Sequence, residues 1–216
     1  NKESHMMKNS EWGAVAYLTQ SQYGRNGHEI DINNSTTYVT GNGGGAVGGT
    51  ATTSSGVTNY YNTETGTKAS STGNIYGIYD LSGGAYEYVA SYDKLGKSDY
   101  VAGSDYGLNM TTNAQDKDGN YISTKYITAY ENGTSEYNSM AKLYEVGKIG
   151  DATKEVRKTS ETKNWFSDLS RFVNSVGPFF HRGSLCVNGA DAGAFSSYGF
   201  NGLSNGLISF RVVLGE

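Results

Sequence analysis

The sequence predicts a single α+β domain with few regular elements and long loops, on three observations. Thirty glycines and much Ser, Thr and Asn stand against 36% hydrophobic and 18% charged residues, the profile of a loop-rich fold rather than a helical bundle. One segment near the N-terminus carries a helical period and one near residue 86 a strand period. Eighteen tyrosines, within an aromatic content of 12% spread along the chain, supply bulky anchors that disordered glycine-rich chains lack. With 216 residues the chain is long enough to bury a core and short enough for one domain.

Taken in order, Glu11-Trp12-Gly13-Ala14-Val15-Ala16-Tyr17-Leu18 places apolar residues on one helical face, with Asn9 and Ser10 as candidate N-caps. Residues 41–66 are almost pure Gly, Ala, Thr, Ser and Asn and read as a long loop. No Gly-Lys-Ser/Thr follows its glycines, so it is not a phosphate cradle. In 73–90, Tyr86, Tyr88 and Ala90 alternate with Glu87 and Val89, a strand fed by a Ser82-Gly83-Gly84 turn. Residues 91–164 are polar and charge-mixed, a decorated excursion with turns at Asp118-Gly119 and Glu131-Asn132-Gly133 and a helix around 139–146. Trp165–Val173 returns to aromatic anchoring. The tail, 182–214, has small residues every few positions and no clear period until the strand-like Ile208–Leu214.

Composition excludes several functions. The net charge of −4, with no basic cluster interleaved with aromatics, argues against nucleic acid as a partner. Cys186 is the only cysteine, which rules out an internal disulfide framework and a cysteine-based zinc site, and it reads as a small buried apolar residue. No apolar run is long enough to span a membrane, although an anchor or secretion signal removed upstream is compatible with the sequence. Ser4-His5-Met6 matches either native sequence or a cloning remnant and is set aside.

Three separated segments resemble, in order, the formylglycine-generating-enzyme branch of the C-type lectin fold. They are Glu11-Trp12-Gly13-Ala14-Val15-Ala16, Asn74 to Tyr88, and Arg182-Gly183-Ser184 with the ending Ser209-Phe210-Arg211. The branch reads roughly E-W-x-x-A, N-x-x-G-L-x-D-M-x-G-N-V-W-E-W and R-G-G-S-W to G-F-R. Here Gly84 replaces Asn, Tyr86 and Tyr88 replace Trp, and Ser184 replaces the second Gly, keeping size and aromaticity where a core would need them. The resemblance implies short twisted strands, few helices and large loops. It does not carry the activity over. The enzymes of this branch bind copper with a cysteine pair, and this chain has only Cys186.

Within the branch the chain is similar to the variable proteins of diversity-generating retroelements, including pilin-like surface proteins of gut Firmicutes. In these a fixed scaffold carries a C-terminal variable region bounded by an R-G-G start and an F-R ending, diversified at adenines so that Lys, Gln, Glu, Met and Trp do not arise. Residues 183–209 contain none of the five, an absence expected by chance on the order of once in a hundred windows of this length. The resemblance therefore implies a frame of Arg182, Gly183, Gly189, Gly193, Phe195, Gly202, Phe210 and Arg211. The exchangeable, ligand-binding positions it implies are Ser184, Leu185, Val187, Ala190, Asp191, Ser197, Tyr198, Phe200, Asn201, Leu203, Ser204, Asn205, Leu207 and Ile208. Among these Tyr198, Phe200, Leu203 and Leu207 are the expected anchors, because aromatic and apolar groups deliver most contact free energy. The implied partner is macromolecular, a cell-surface protein or a glycan. The implied setting is extracellular, on a cell surface or on a phage particle.

Competing readings stay open. Leu185, Leu203, Leu207 and Ile208 read equally well as ordinary core. A Ser/His/Asp triad on His181 lacks a nucleophile elbow. Residues 113–120 hint at a calcium loop but lack the glutamate at its twelfth position, so no cofactor is expected and a structural calcium has no locatable site. Glu87 is expected to pair with a buried Arg182 or Arg211. The two rivals to a non-enzymatic binder are a structural pilin or adhesin subunit and a degenerate enzyme of the same branch.

Overall fold

The computed structural model describes residues 4–34, 39–40, 59–93, 126–130, 148–153, 166–174 and 177–215. Over these the chain is mixed α+β, with one α-helix and short strands. The glycine-rich stretch 41–58, the turns at 118–119 and 131–133, the calcium-like run 113–120 and the helix expected around 139–146 lie outside the described residues.

The expected helix is α1, Asn9–Gln20. Trp12, Ala16 and Thr19 are buried at helical spacing while Ser10, Ala14 and Leu18 face solvent. Asn9 and Ser10 fall inside the helix rather than capping it. The cap is Lys8, whose backbone N–H donates to Glu11 Oε2 at 2.8 Å, half of a capping box. Asn9 turns inward instead and donates from Nδ2 to the Tyr130 hydroxyl at 2.9 Å.

The strands are β1 (Ser4–Met6), β2 (Tyr86–Asp93), β3 (Thr128–Tyr130), β4 (Phe179–Gly183), β5 (Gly193–Phe200), β6 (Ile208–Phe210) and β7 (Val212–Leu214). β4 lies antiparallel between β2 and β5. On the other edge of β2, β6 runs parallel to its first half and β3 parallel to its last residues. β1 and β7 form a separate antiparallel pair with Ser4 opposite Leu214, so Ser4-His5-Met6 belongs to the fold. The C-terminal run breaks at Arg211 into β6, which pairs with β2, and β7, which pairs with β1.

The core centres on Trp12, Leu81, Val89, Phe172, Phe180 and Phe195. Phe172 and Phe180 meet edge to face at 5.1 Å, and Tyr130 packs on Phe172 at 5.3 Å, contacts worth about 0.5–1.5 kcal/mol each beyond their burial. Within the stretch read as a decorated excursion, 91–164, β3 pairs with the sheet and Tyr130 packs in the core. Phe210, expected in the frame as a core residue, is 59% exposed: β6 sits at the sheet's edge and Phe210 points away from the core.

Candidate ligand-binding face

Alternation gives β2, β4 and β5 two faces. In β2, Glu87 and Val89 are buried while Tyr86 and Tyr88 stay half-exposed. The register sets Tyr88, His181 and Tyr198 in one row across the three strands, with Phe179 and Phe200 paired beside them.

On the inner face Glu87, Arg211 and Arg182 meet partners within the chain. The Glu87 carboxylate accepts from Nε and Nη2 of Arg211, which also donates to the carbonyls of Tyr79 and Asp80 at 3.1 and 3.2 Å. Arg211 is therefore the arginine that pairs with Glu87. Arg182 donates to the Ala152 carbonyl at 3.0 Å. Both guanidiniums lie against the same indole, Arg182 at 5.9 Å and Arg211 at 5.6 Å from the Trp12 ring, and the indole N–H donates to the Ala194 carbonyl at 2.7 Å. The first and last residues of the segment expected to vary thus sit on one side chain of α1. Two glycines between them are held by close approach. A Cβ on Gly193 would stand 1.9 Å from the Asp168 carboxylate, and one on Gly202, where φ is 83°, would stand 2.7 Å from the Phe179 ring.

All the nominated positions except Ser184 and Ser197 reach solvent. Ser184 is fully buried with φ 64°, and its hydroxyl hydrogen-bonds that of Ser196 at 2.7 Å. It occupies a left-handed position that suits glycine. Ser197 is buried because residues 169–171 run along β5 and hydrogen-bond its backbone. Neither serine belongs to a binding surface.

The remaining positions form two groups. Leu185, Val187, Ala190 and Asp191 lie on or beside the 3-10 turn Cys186–Asp191, which is tied by the Cys186 N–H to the Gly84 carbonyl at 2.9 Å, just before β2. Val187 is half-exposed and Ala190 exposed. Tyr198, Phe200, Asn201, Leu203, Ser204, Asn205, Leu207 and Ile208 gather on the outer face of the sheet and the loop crossing it. Asn201 and Asn205 shape that loop, each side-chain oxygen accepting from the backbone N–H two residues on, Leu203 at 3.1 Å and Leu207 at 2.9 Å. The Tyr88 hydroxyl donates to the Leu203 carbonyl at 3.3 Å, and Ile208 pairs with Tyr86.

The outer face adds three residues that sequence reasoning missed. His181 is 2% exposed and lies among Tyr86 at 4.1 Å, Tyr198 at 5.5 Å, Phe200 at 5.8 Å and Tyr88 at 6.0 Å between ring centroids. Tyr86 and Tyr88, expected to fill a core like the Trp residues they replace, flank it on this face. The signal was present in the alternation: once Glu87 is tied to an interior arginine, its neighbours must point the other way. Burial lowers the His181 pKa to about 3 and raises that of Tyr88 to about 12, with a backbone contact at Gly202 acting the other way on Tyr88. These rings are uncharged across the physiological range. They can accept, donate and stack, and they do not shuttle protons near neutral pH. Arg171 stands at the margin, its guanidinium 5.4 Å from the Tyr198 ring and its Nη1 donating to the Tyr198 hydroxyl at 3.3 Å.

Elsewhere, a cavity of about 460 Å³ is lined by Glu29, Ile30, Asp31, Ile32, Asn34 and Val39, none of them a nominated position. Burial raises the Glu29 pKa, and a hydrogen bond with Asp168 acts against that. Among the described residues no cluster of His, Cys, Asp and Glu is suited to a metal ion, and no helix is long and apolar enough to cross a membrane. Neither a family model nor a curated protein matches the chain.

Proposed function

We propose that this chain is a non-enzymatic binding protein of the C-type lectin fold, of the formylglycine-generating-enzyme type. In this reading it is the variable protein of a diversity-generating retroelement, displayed outside a bacterial cell or on a phage particle. It presents residues 184–208 to a macromolecular ligand, a surface protein or a glycan. The observation that carries this reading is the division of labour in the tail: Arg182 and Arg211 are fixed on Trp12, while the nominated exchangeable positions between them, apart from Ser184 and Ser197, reach solvent. Backbone order is settled during folding, so exchanging an exposed side chain changes affinity without rebuilding the platform.

Deep sequencing of the locus within one population tests it. Substitutions are expected to concentrate at Leu185, Val187, Ala190, Tyr198, Phe200 and Leu203 and their exposed neighbours, and to spare Gly193, Arg211 and the buried Ser184 and Ser197. Uniform or absent variation would remove the retroelement reading and leave the fold untouched. A combined Val187→Ser, Ala190→Ser, Leu203→Ser variant is expected to unfold within about 1 kcal/mol of the parent.

One observation favours a second reading, a pilin or adhesin subunit. Phe210, Val212 and Leu214 are exposed at alternate positions along β6 and β7, an apolar stripe outside residues 184–208. An assembly subunit would polymerise through it, and sedimentation of the purified chain as a monomer at high concentration excludes that role.

A further inference from the structure

We infer that Asn205-Gly206 is a self-modification site, at which the folded chain converts the Asn205 carboxamide to a carboxylate ahead of its other described Asn-Gly pairs. Water is the only co-reactant. This chemistry is independent of what the tail binds.

An asparagine followed by glycine is open to attack on its own side chain, because the glycine nitrogen has no Cβ beside it to block the approach. The nitrogen gives up its proton to solvent hydroxide and bonds to Cγ, and the Cγ=O electron pair moves onto Oδ1. Return of that pair breaks the Cγ–Nδ2 bond and expels ammonia, which takes its further hydrogen from water. Water then adds to either carbonyl of the cyclic imide and breaks the ring's C–N bond there. Opening at Cγ leaves aspartate, and opening at the backbone carbonyl leaves isoaspartate, whose chain runs through the former side chain. In sum, a carboxamide and a water become a carboxylate and an ammonium, with nothing oxidised or reduced.

Four Asn-Gly pairs fall among the described residues, at 26–27, 188–189, 201–202 and 205–206, and the fold treats them differently. The Gly27 N–H donates to the Gln20 carbonyl at 2.9 Å, so its proton is held. Asn188 Oδ1 accepts from the Leu185 N–H at 2.8 Å, which ties that carboxamide to the turn before it. Asn201 and Asn205 instead accept from the N–H two residues on, at 3.1 and 2.9 Å, so a donor already stands at the oxygen on which charge develops during attack. These two head the same tripeptide, Asn-Gly-Leu, and differ in their surroundings. Asn201 and Gly202 are half-buried, and Gly202, at φ 83°, is wedged where a Cβ would stand 2.7 Å from the Phe179 ring. Asn205 and Gly206 are both exposed, within reach of solvent base and water. The Asn205 backbone carbonyl also accepts from the Ile208 N–H at 3.0 Å, so the second carbonyl of the imide carries a donor too. The product places a carboxylate between Leu203 and Leu207. In its isoaspartate form it lengthens the chain at a turn that Tyr86 holds by its N–H to the Leu207 carbonyl at 3.0 Å.

Trypsin cuts after Arg182 and Arg211 and releases residues 183–211 as one peptide holding three of the four pairs. The intact protein is aged at mildly alkaline pH in water labelled with heavy oxygen, so that only conversion during ageing is marked. Electron-transfer fragmentation of the digest then locates each conversion and separates aspartate from isoaspartate. In the folded protein Asn205 is expected to convert about tenfold faster than Asn201, with Asn26 and Asn188 slower than Asn205. In urea, Asn201 and Asn205 are expected to convert at one rate. Gly206→Ala, at a position outside the left-handed region, is expected to slow Asn205 about tenfold and leave Asn201 unchanged. Where that variant folds poorly, the ratio of the two rates in folded and unfolded wild type carries the test. An Asn205 that stays intact while the unfolded chain converts overturns the proposal. Another pair leading in the folded protein, or the same Asn205 to Asn201 ratio with and without urea, overturns it too.

Discussion

Glu87 and Tyr88 are consecutive residues of one strand and meet opposite fates. Glu87 is buried with both carboxylate oxygens taken by Arg211, in an interior where Trp12 lies against two guanidiniums and donates its own N–H to a carbonyl. Tyr88 stands half-exposed on the other side of the sheet, beside the buried His181 ring. The inner face joins its charged groups to partners within the chain, and the outer face presents aromatic rings that stay partly exposed. That difference separates the part of this fold that holds the tail from the part proposed to bind a ligand.

The comparison can be broken in three ways. The largest effect is expected for Trp12→Ala, which removes a fully buried indole, its hydrogen bond and the surface shared by Arg182 and Arg211. Urea unfolding should show a loss of about 4 kcal/mol, and a loss under about 1 kcal/mol would mean the inner face is not what holds the tail. Next, Phe180→Ala on the core side should cost about 3 kcal/mol while Phe200→Ala on the outer side costs about 1 kcal/mol or less. Equal costs would erase the distinction between the faces.

The smallest effect concerns pH. The folded His181 pKa is held at about 3 by burial, below the ordinary 6.5. Between those values the unfolded chain binds a proton that the folded chain refuses, so the stability is full above pH 6.5 and drains away as pH falls toward 3. Wild type should therefore lose about 2 kcal/mol more than His181→Phe between pH 7 and pH 5. Parallel pH curves for the two proteins would show that the ring is not kept neutral.

How much of this was legible in the sequence differs by element, for physical reasons. The helix announced itself because Trp12, Val15 and Ala16 repeat at helical spacing on a polar background. The first strand of the sheet was visible in Tyr86-Glu87-Tyr88-Val89, but its polarity was misassigned: bulk suggests interior, and here the buried member is the carboxylate, because an arginine from the far end of the chain meets it. β5 left no period at all. Gly193 through Ser197 are buried, so neither side of the strand needed polar residues and the alternation that marks a half-exposed strand never arose. The candidate site was legible at Val187, Leu203 and Ser204, whose exposure follows from turn-rich surroundings. It was not legible at Ser184, where a backbone angle rather than a side-chain preference decides the residue, nor at His181, whose significance depends on two strands brought beside it from distant sequence.

The shared indole has a consequence for length as well as for chemistry. Because Arg182 and Arg211 meet on Trp12, the span between them is a ring closed from within, and its termini stay together whatever lies along the circumference. Closure entropy grows only slowly with contour, by roughly 0.6 kcal/mol for each doubling. Residues added or removed at the 201–207 crossing should therefore enlarge or shrink the rim while leaving the hub where it is.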